Sequence, residues 1–182
     1  MMEILELKKA LSVRGKNGLP FLLSACVIWA GITVLFLLPL AIDTKNIFML
    51  FATGLMFPIA LILSKWTKSE WKMEDHPLSS LGLYLNLAQF MYFPIIFWAF
   101  VQSPHHMVVF FAVITGAHFF PYGWFYQAKA YFVMAPLISI TLMLLGWTTE
   151  GSHAWLIPLT MLLFLVFLIF WLLVDYRKKI KM

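Results

Sequence analysis

AWLIPLTMLLFLVFLIFWLLV, residues 154–174, followed at once by DYRKKIKM at 175–182, decides the class of this protein. These twenty-one residues carry no charge, and a helix of about this length rises roughly 30 Å, the thickness of a bilayer's hydrocarbon core. A basic run directly behind such a segment is the pattern that keeps the end of a span on the cytoplasmic side.

Working outward from it, the same pattern recurs. Apolar windows long enough to cross lie at 19–42, 47–63, 79–101, 107–126 and 130–147, which with 154–174 makes six. The 182 residues are 63% hydrophobic and 12% charged, with a mean hydropathy of +0.90, outside the soluble range. An outer-membrane barrel would alternate polar and apolar residues over short segments, and these runs do not. The expectation is an all-α integral membrane bundle of six transmembrane helices. It divides into a cytoplasmic amphipathic and basic segment (1–18), a six-helix domain (19–176) and a basic tail (177–182).

Charge orients it. With both termini in the cytoplasm, Lys8, Lys9, Arg14, Lys16, Lys65, Lys68, Lys72, Lys129, Arg177, Lys178, Lys179 and Lys181 fall inside, and only Lys45 falls outside. An odd number of spans would break that asymmetry by carrying the C-terminal cluster outside. Tryptophan and tyrosine gather near both span ends, as interfacial belts do. The net charge of +5 therefore reads as topology, with no nucleic-acid partner. The first span is longer than a signal-peptide core and is kept as a span. Before it, Ile4, Leu7 and Leu11 recur at helical spacing with Lys8, Lys9 and Arg14 available to anionic headgroups, so the segment reads as an interfacial helix. Cys26, the one cysteine, excludes an internal disulfide and a cysteine metal cluster.

No Asp, Glu, Lys or Arg lies in the middle of a predicted span, so uncharged polar groups carry what functional information there is. Ser79, Gly82, Asn86 and Gln89 occupy one face of the third span at intervals of three and four. Thr115, His118, Tyr122 and Tyr126 form a comparable stripe on the fourth. A short hairpin makes these spans antiparallel neighbours, with Asn86 and His118 at similar depth. Two readings follow: a structural clamp of mutual hydrogen bonds, or a ligand or proton site. The candidate ligand-binding residues are Asn86, Gln89, Thr115, His118, Tyr122 and Tyr126.

Pro58, Pro94, Pro121 and Pro136 lie within spans and predict kinks, each removing a backbone donor. For Pro121 the freed carbonyl is that of Ala117, next to His118. AQF (88–90) before Pro94 echoes AHF (117–119) before Pro121, in spans of opposite direction, a faint hint of inverted halves. Gathering of a metal by His105, His106 and His153 with Asp43 and Glu150 is weighed against ordinary solvated loop groups, and the solvated reading is preferred; His76 is read the same way. No metal and no cofactor is expected. HExxH, GxSxG, Walker and GxGxxG patterns are all missing, so no catalytic residue is assigned.

The stretches GLPF (18–21), FLLP (36–39), HPLSSLGLYLNLAQFMYFPI (76–95) and GAHFFPYGWFYQAKAY (116–131) carry a resemblance. The chain resembles a family of small bacterial integral membrane proteins known only as a domain of unknown function. The resemblance implies a bacterial cytoplasmic membrane, supports the span count and supplies no activity and no site residues. Three functions are carried forward, in this order. The first is a small transporter or ligand-binding membrane protein with a pocket between the third and fourth spans for a small amphipathic ligand. The second is an accessory protein that packs on itself or a membrane partner through Gly31, Gly54 and Gly82. The third is an enzyme using His118 on a lipid-like substrate.

Overall fold

The computed structural model describes residues 3–71, 73–149 and 151–181. Lys72 of the inner basic set and Glu150 of the outer acidic pair lie outside the described residues. The described chain is helical, without strands: α1 (Ile4–Arg14), α2 (Leu19–Leu37), α3 (Ile42–Gly54), α4 (Met56–Thr67), α5 (Ser79–Ala88), α6 (Phe93–Gln102), α7 (Met107–His118), α8 (Phe120–Phe125), α9 (Lys129–Thr148) and α10 (Leu156–Lys181). Five continuous or near-continuous stretches are long and apolar enough to cross a membrane: 16–37, 79–102, 104–125, 129–148 and 156–181. A sixth is added if α3 and α4, bent by 42°, count as one span.

Proline explains most departures from six plain rods. Its ring lacks an N–H and clashes with the carbonyl one turn back, so a helix breaks on its N-terminal side. The α3–α4 bend precedes Pro58, a tight turn at Gln89–Tyr92 precedes Pro94, and Phe119 separates α7 from α8 just before Pro121. There Phe119 N–H donates to the Gly116 carbonyl at 3.2 Å, a three-residue bond in place of a four-residue one. Pro136 leaves α9 unbroken. Pro39 ends α2 early: Leu38, the residue before it, is extended (φ −71°, ψ 149°), and Asp43 to Asn46 fall inside the first turns of α3 instead of in a connector.

The core is built from α2, α7, α9 and α10, around Trp29, Ile138, Leu142, Met161 and Leu165. Trp29 stacks on Phe111 with ring centres 5.5 Å apart. Where α7 meets α9 the seam depends on glycine: a β-carbon on Gly116 would stand 2.6 Å from Ile138 Cγ2, and one on Gly146 would stand 2.5 Å from Val109 Cγ1. Small residues at such seams let backbones approach closely, the device by which membrane helices gain packing energy. Large apolar side chains such as Val34, Phe51 and Phe170 are exposed on the outside of the bundle.

The α3–α4 pair packs on α2, and Ser24 donates to the Met56 carbonyl at 2.8 Å beside the bend. By contrast α5 has no buried residue; it touches the rest through Leu78, Leu81 and Leu85 around Phe125.

Helix α1 lies across one end of the bundle, held more by protein than the headgroup reading expects. Lys8 is buried with its ammonium 3.9 Å from the centre of the Trp124 ring. Arg14 forks onto two carboxylates, Glu70 (Nη2 to Oε2, 2.5 Å) and Asp75 (Nη2 to Oδ1, 2.8 Å). Those bonds, from Glu70 first and Asp75 second, hold the guanidinium charged above its ordinary range, and Arg14 in turn draws the Asp75 carboxyl below the usual carboxylate range. Lys9 stays exposed.

Candidate functional site

Between α5 on one side and α2, α4, α7 and α8 on the others lies a cavity of about 700 Å³. Its walls are the two polar stripes and a largely apolar remainder that includes Phe21, Ala25, Met56 and Phe57. At the end nearest α1 it is bounded by Leu11 and by the α4–α5 loop, through Glu70, Trp71, Met73, Glu74 and His76. It exists because α5 stands off from α7 and α8, propped at Gly82, where a β-carbon would come within 2.9 Å of Phe125 Cζ.

All six residues singled out from the sequence, Asn86, Gln89, Thr115, His118, Tyr122 and Tyr126, line this cavity. They do not form the clamp of mutual hydrogen bonds that was one of the two readings. Asn86 Nδ2 donates to the Gly82 carbonyl (2.9 Å) and the Thr115 hydroxyl to the Phe111 carbonyl (2.8 Å), each within its own helix. Short polar side chains make such backbone bonds when no partner helix is within reach. His118 Nε2 lies 3.4 Å from the Tyr122 hydroxyl, a long contact four residues on across the α7–α8 break. The Gln89 amide and the Tyr126 hydroxyl have no hydrogen-bond partner among the described residues. The AQF and AHF triplets sit on the two helix breaks, so Gln89 and His118 both stand at the ends of half-helices bordering the cavity.

One side of the cavity is an aromatic group. Tyr122 and Tyr126 stack at 6.0 Å, Tyr126 and Tyr131 at 6.2 Å, and Phe125 meets Tyr126 edge-on at 4.8 Å. These rings close under the start of α2 because Gly18 is left-handed (φ +77°) and bare: a β-carbon there would be 3.0 Å from Tyr126 Cε2.

Beneath the rings is a polar knot that the sequence reading passes over. Asn17, fully buried and left-handed (φ 54°), accepts from the Ser12 hydroxyl at 2.5 Å and donates to Asp175 Oδ2 at 3.0 Å and the Leu172 carbonyl at 3.2 Å. Tyr131 donates to the Asn17 carbonyl at 2.7 Å. Lys179 completes it, its ammonium 2.6 Å from Asp175 Oδ2, 2.8 Å from the Tyr126 carbonyl and 2.9 Å from Ser12 Oγ. Lys179, read as one of the basic tail residues that set topology, is thus a largely shielded fastener that joins α1, the Lys16–Gly18 turn, the end of α8 and α10. The KNG turn at 16–18 and the Asp175–Lys179 spacing of four were the available signals.

His76 likewise is no solvated loop group. It is buried, its Nδ1 accepting from Leu78 N–H at 3.2 Å and its Nε2 bonding the Leu7 carbonyl at 3.0 Å, which ties the α4–α5 loop to α1. Among the described residues no three His, Cys, Asp or Glu gather as metal ligands, and His106 Nδ1 is engaged by the Ser103 hydroxyl at 2.9 Å.

No curated protein and no solved structure matches the sequence. Over residues 4–175 it matches the family described as "Family of unknown function (DUF7010)", and the chain belongs to that family.

Proposed function

We propose that this protein is a small ligand-binding membrane protein of the bacterial cytoplasmic membrane, a carrier or receptor that takes an amphipathic molecule into the cavity beside α5. The single observation that carries this reading is that both polar stripes line one cavity, with the Gln89 amide and Tyr126 hydroxyl at its surface and without a hydrogen-bond partner among the described residues. A cavity of several hundred Å³ with an apolar lining and a few polar groups is the usual form of a small-molecule site. Helix α5 buries none of its own residues, so displacing it costs fewer contacts than displacing a core helix, and it is the wall that can yield to an entering molecule.

Six spans with both termini inside fit this placement. The Ser12–Lys179 bond brings the two ends of the chain to one end of the bundle, which supports an even number of crossings with the α3–α4 pair as one. Exposed Lys9, Arg177, Lys178 and Lys181 gather at that end, as the cytoplasmic side requires. The cavity mouth at Glu70 and His76 then lies at the inner headgroup level.

The test is native mass spectrometry of the protein extracted with its own lipids, comparing wild type with Asn86→Phe, which fills the cavity from a helix with no core residues, and Leu87→Phe, which adds the same ring to an exposed face. A bound molecule retained by wild type and L87F and lost from N86F is expected. Identical spectra for all three would refute the reading.

The accessory reading keeps one observation of its own: β-carbons at Gly31 and Gly54 would meet nothing within 4 Å, so these glycines are open to a neighbouring helix. Gly82 drops out of that set, because its bare face is turned to Phe125. Crosslinking from cysteines placed at 31 and 54 checks it, and a monomer with no crosslinked species would remove it.

A further inference from the structure

We infer that the molecule taken up by this cavity bears an uncharged carbonyl or hydroxyl head on an apolar body, and that the head lies deep, at Gln89, near the middle of the membrane. The inference rests on the ligand-binding reading above and adds the chemistry and the depth of the ligand's polar group.

Depth limits the chemistry. Gln89 and Thr115 stand near the middle of the stretches 79–102 and 104–125, with Asn86 and His118 one helical turn away, and all four line the cavity. None of the four is Asp, Glu, Lys or Arg. The charged residues of the described lining, Glu70 and Glu74, lie on the α4–α5 loop, before the stretch 79–102 begins. A full charge brought to the depth of Gln89 would meet no opposite charge there, and burying it so is expensive. A carbonyl or hydroxyl gives up only its hydrogen bonds to water and recovers them from an amide.

The deep wall offers such bonds. The Gln89 amide has no partner among the described residues, so its N–H groups can donate to a carbonyl and its oxygen can accept from a hydroxyl. Asn86 commits one N–H to the Gly82 carbonyl, and Thr115 its hydroxyl proton to the Phe111 carbonyl, which leaves both side-chain oxygens as acceptors. The His118–Tyr122 contact, at 3.4 Å, is long enough to yield to a closer partner. From α2 and α4 come Leu22, Ala25, Met56 and Phe57, whose side chains offer no strong hydrogen bond and take the apolar body.

The experiment uses the full chain in phosphatidylcholine nanodiscs, titrated calorimetrically with empty discs as the blank for partitioning. The probes are methyl octyl ketone, isotope-labelled at its carbonyl, decyltrimethylammonium and decyl sulfate, which carry apolar chains of similar length. The ketone is expected to bind saturably and about tenfold more tightly than either charged probe. Gln89→Leu should weaken the ketone about fivefold, the worth of one neutral hydrogen bond. The infrared stretch of the labelled carbonyl should lie lower when bound to wild type than when bound to Q89L, because accepting a hydrogen bond lowers it. N86F should abolish saturable binding, and L87F should leave it intact. If a charged probe binds as tightly as the ketone, or Q89L changes neither affinity nor carbonyl stretch, while N86F still abolishes binding, the uncharged deep head is overturned and the cavity remains a ligand site. If no probe binds saturably to wild type, or N86F binds as wild type does, this inference and the ligand-binding reading fall together.

Discussion

Replacing Gly146 by alanine tests the seam that holds the wall carrying His118. Helix propensity alone favours the change, by about 1 kcal/mol in a helix interior. Packing opposes it. The new methyl would sit 2.5 Å from Val109 Cγ1, 2.8 Å from Cγ2 and 3.2 Å from Cβ, whereas carbon atoms in good contact sit roughly 3.5–4.0 Å apart. Valine in a helix is held to one side-chain rotamer, so it cannot swing clear and α7 must move from α9 by about 1 Å. Overpacking of this kind costs about 1–3 kcal/mol. The net is a loss of up to about 2 kcal/mol, which for a chain of this length lowers Tm by up to roughly 8 °C. Val109→Ala alone loses two methyl groups and also destabilises, by about 1–2 kcal/mol. The double variant is nevertheless expected to be more stable than the sum of the two changes by about 1–2 kcal/mol, since each relieves the other. The assay is thermal unfolding in one detergent, followed by tryptophan emission, for all four members of the cycle. A G146A protein more stable than wild type by the full helix-propensity gain of about 1 kcal/mol, or a strictly additive double variant, would refute the close-approach argument.

Three further outcomes follow from the same geometry. Gly18→Ala forces a side chain into a left-handed position (φ +77°) against the Tyr126 ring and should cost about 2–4 kcal/mol, combining the backbone penalty with the clash; a Tm within 1 °C of wild type, on the order of a few tenths of a kcal/mol, argues against it. Lys179→Met removes the ammonium shared by Ser12, Asn17, Asp175 and the Tyr126 carbonyl, so hydrogen exchange across residues 4–18 should accelerate about tenfold or more, as loss of a charged bond worth about 1.5–3 kcal/mol implies; unchanged exchange there refutes the fastener. Because Arg14 lowers the Asp75 carboxyl in the folded state, that contact stabilises α1 docking fully above the ordinary carboxylate range, near pH 4, and loses its effect as pH falls through the lowered value. Acid-induced exchange of α1 should therefore flatten in Arg14→Gln, and an unaltered acid response in that variant would contradict the assignment.

The spans were legible because apolar length is a one-dimensional property, and the two stripes because helical spacing converts sequence intervals directly into faces. Asn86 and His118 reach the same cavity for that reason. That they do not bond each other was not legible: it depends on how far α5 stands from α7, which Phe125 against Gly82 helps to set, and neither residue advertises that contact. Span ends shifted where proline chemistry outweighs hydropathy, as at Leu38. Asn17 and Lys179 were missed for a different reason. Each looks like surface punctuation locally, and only the return of α10 beside the Lys16–Gly18 turn, more than 150 residues later along the chain, makes them partners.

The distribution of helix breaks divides the molecule by stiffness. α2, α9 and α10 run unbroken and carry much of the core, whereas each of the three remaining paths across the bundle is jointed partway through, at 55, at 89–92 and at 119. A jointed rod transmits no torque past its joint. Bending in one half of such a path is absorbed where it arises, so the flank made by the jointed pairs is the compliant side of this bundle and the flank made by the unbroken helices is the stiff one.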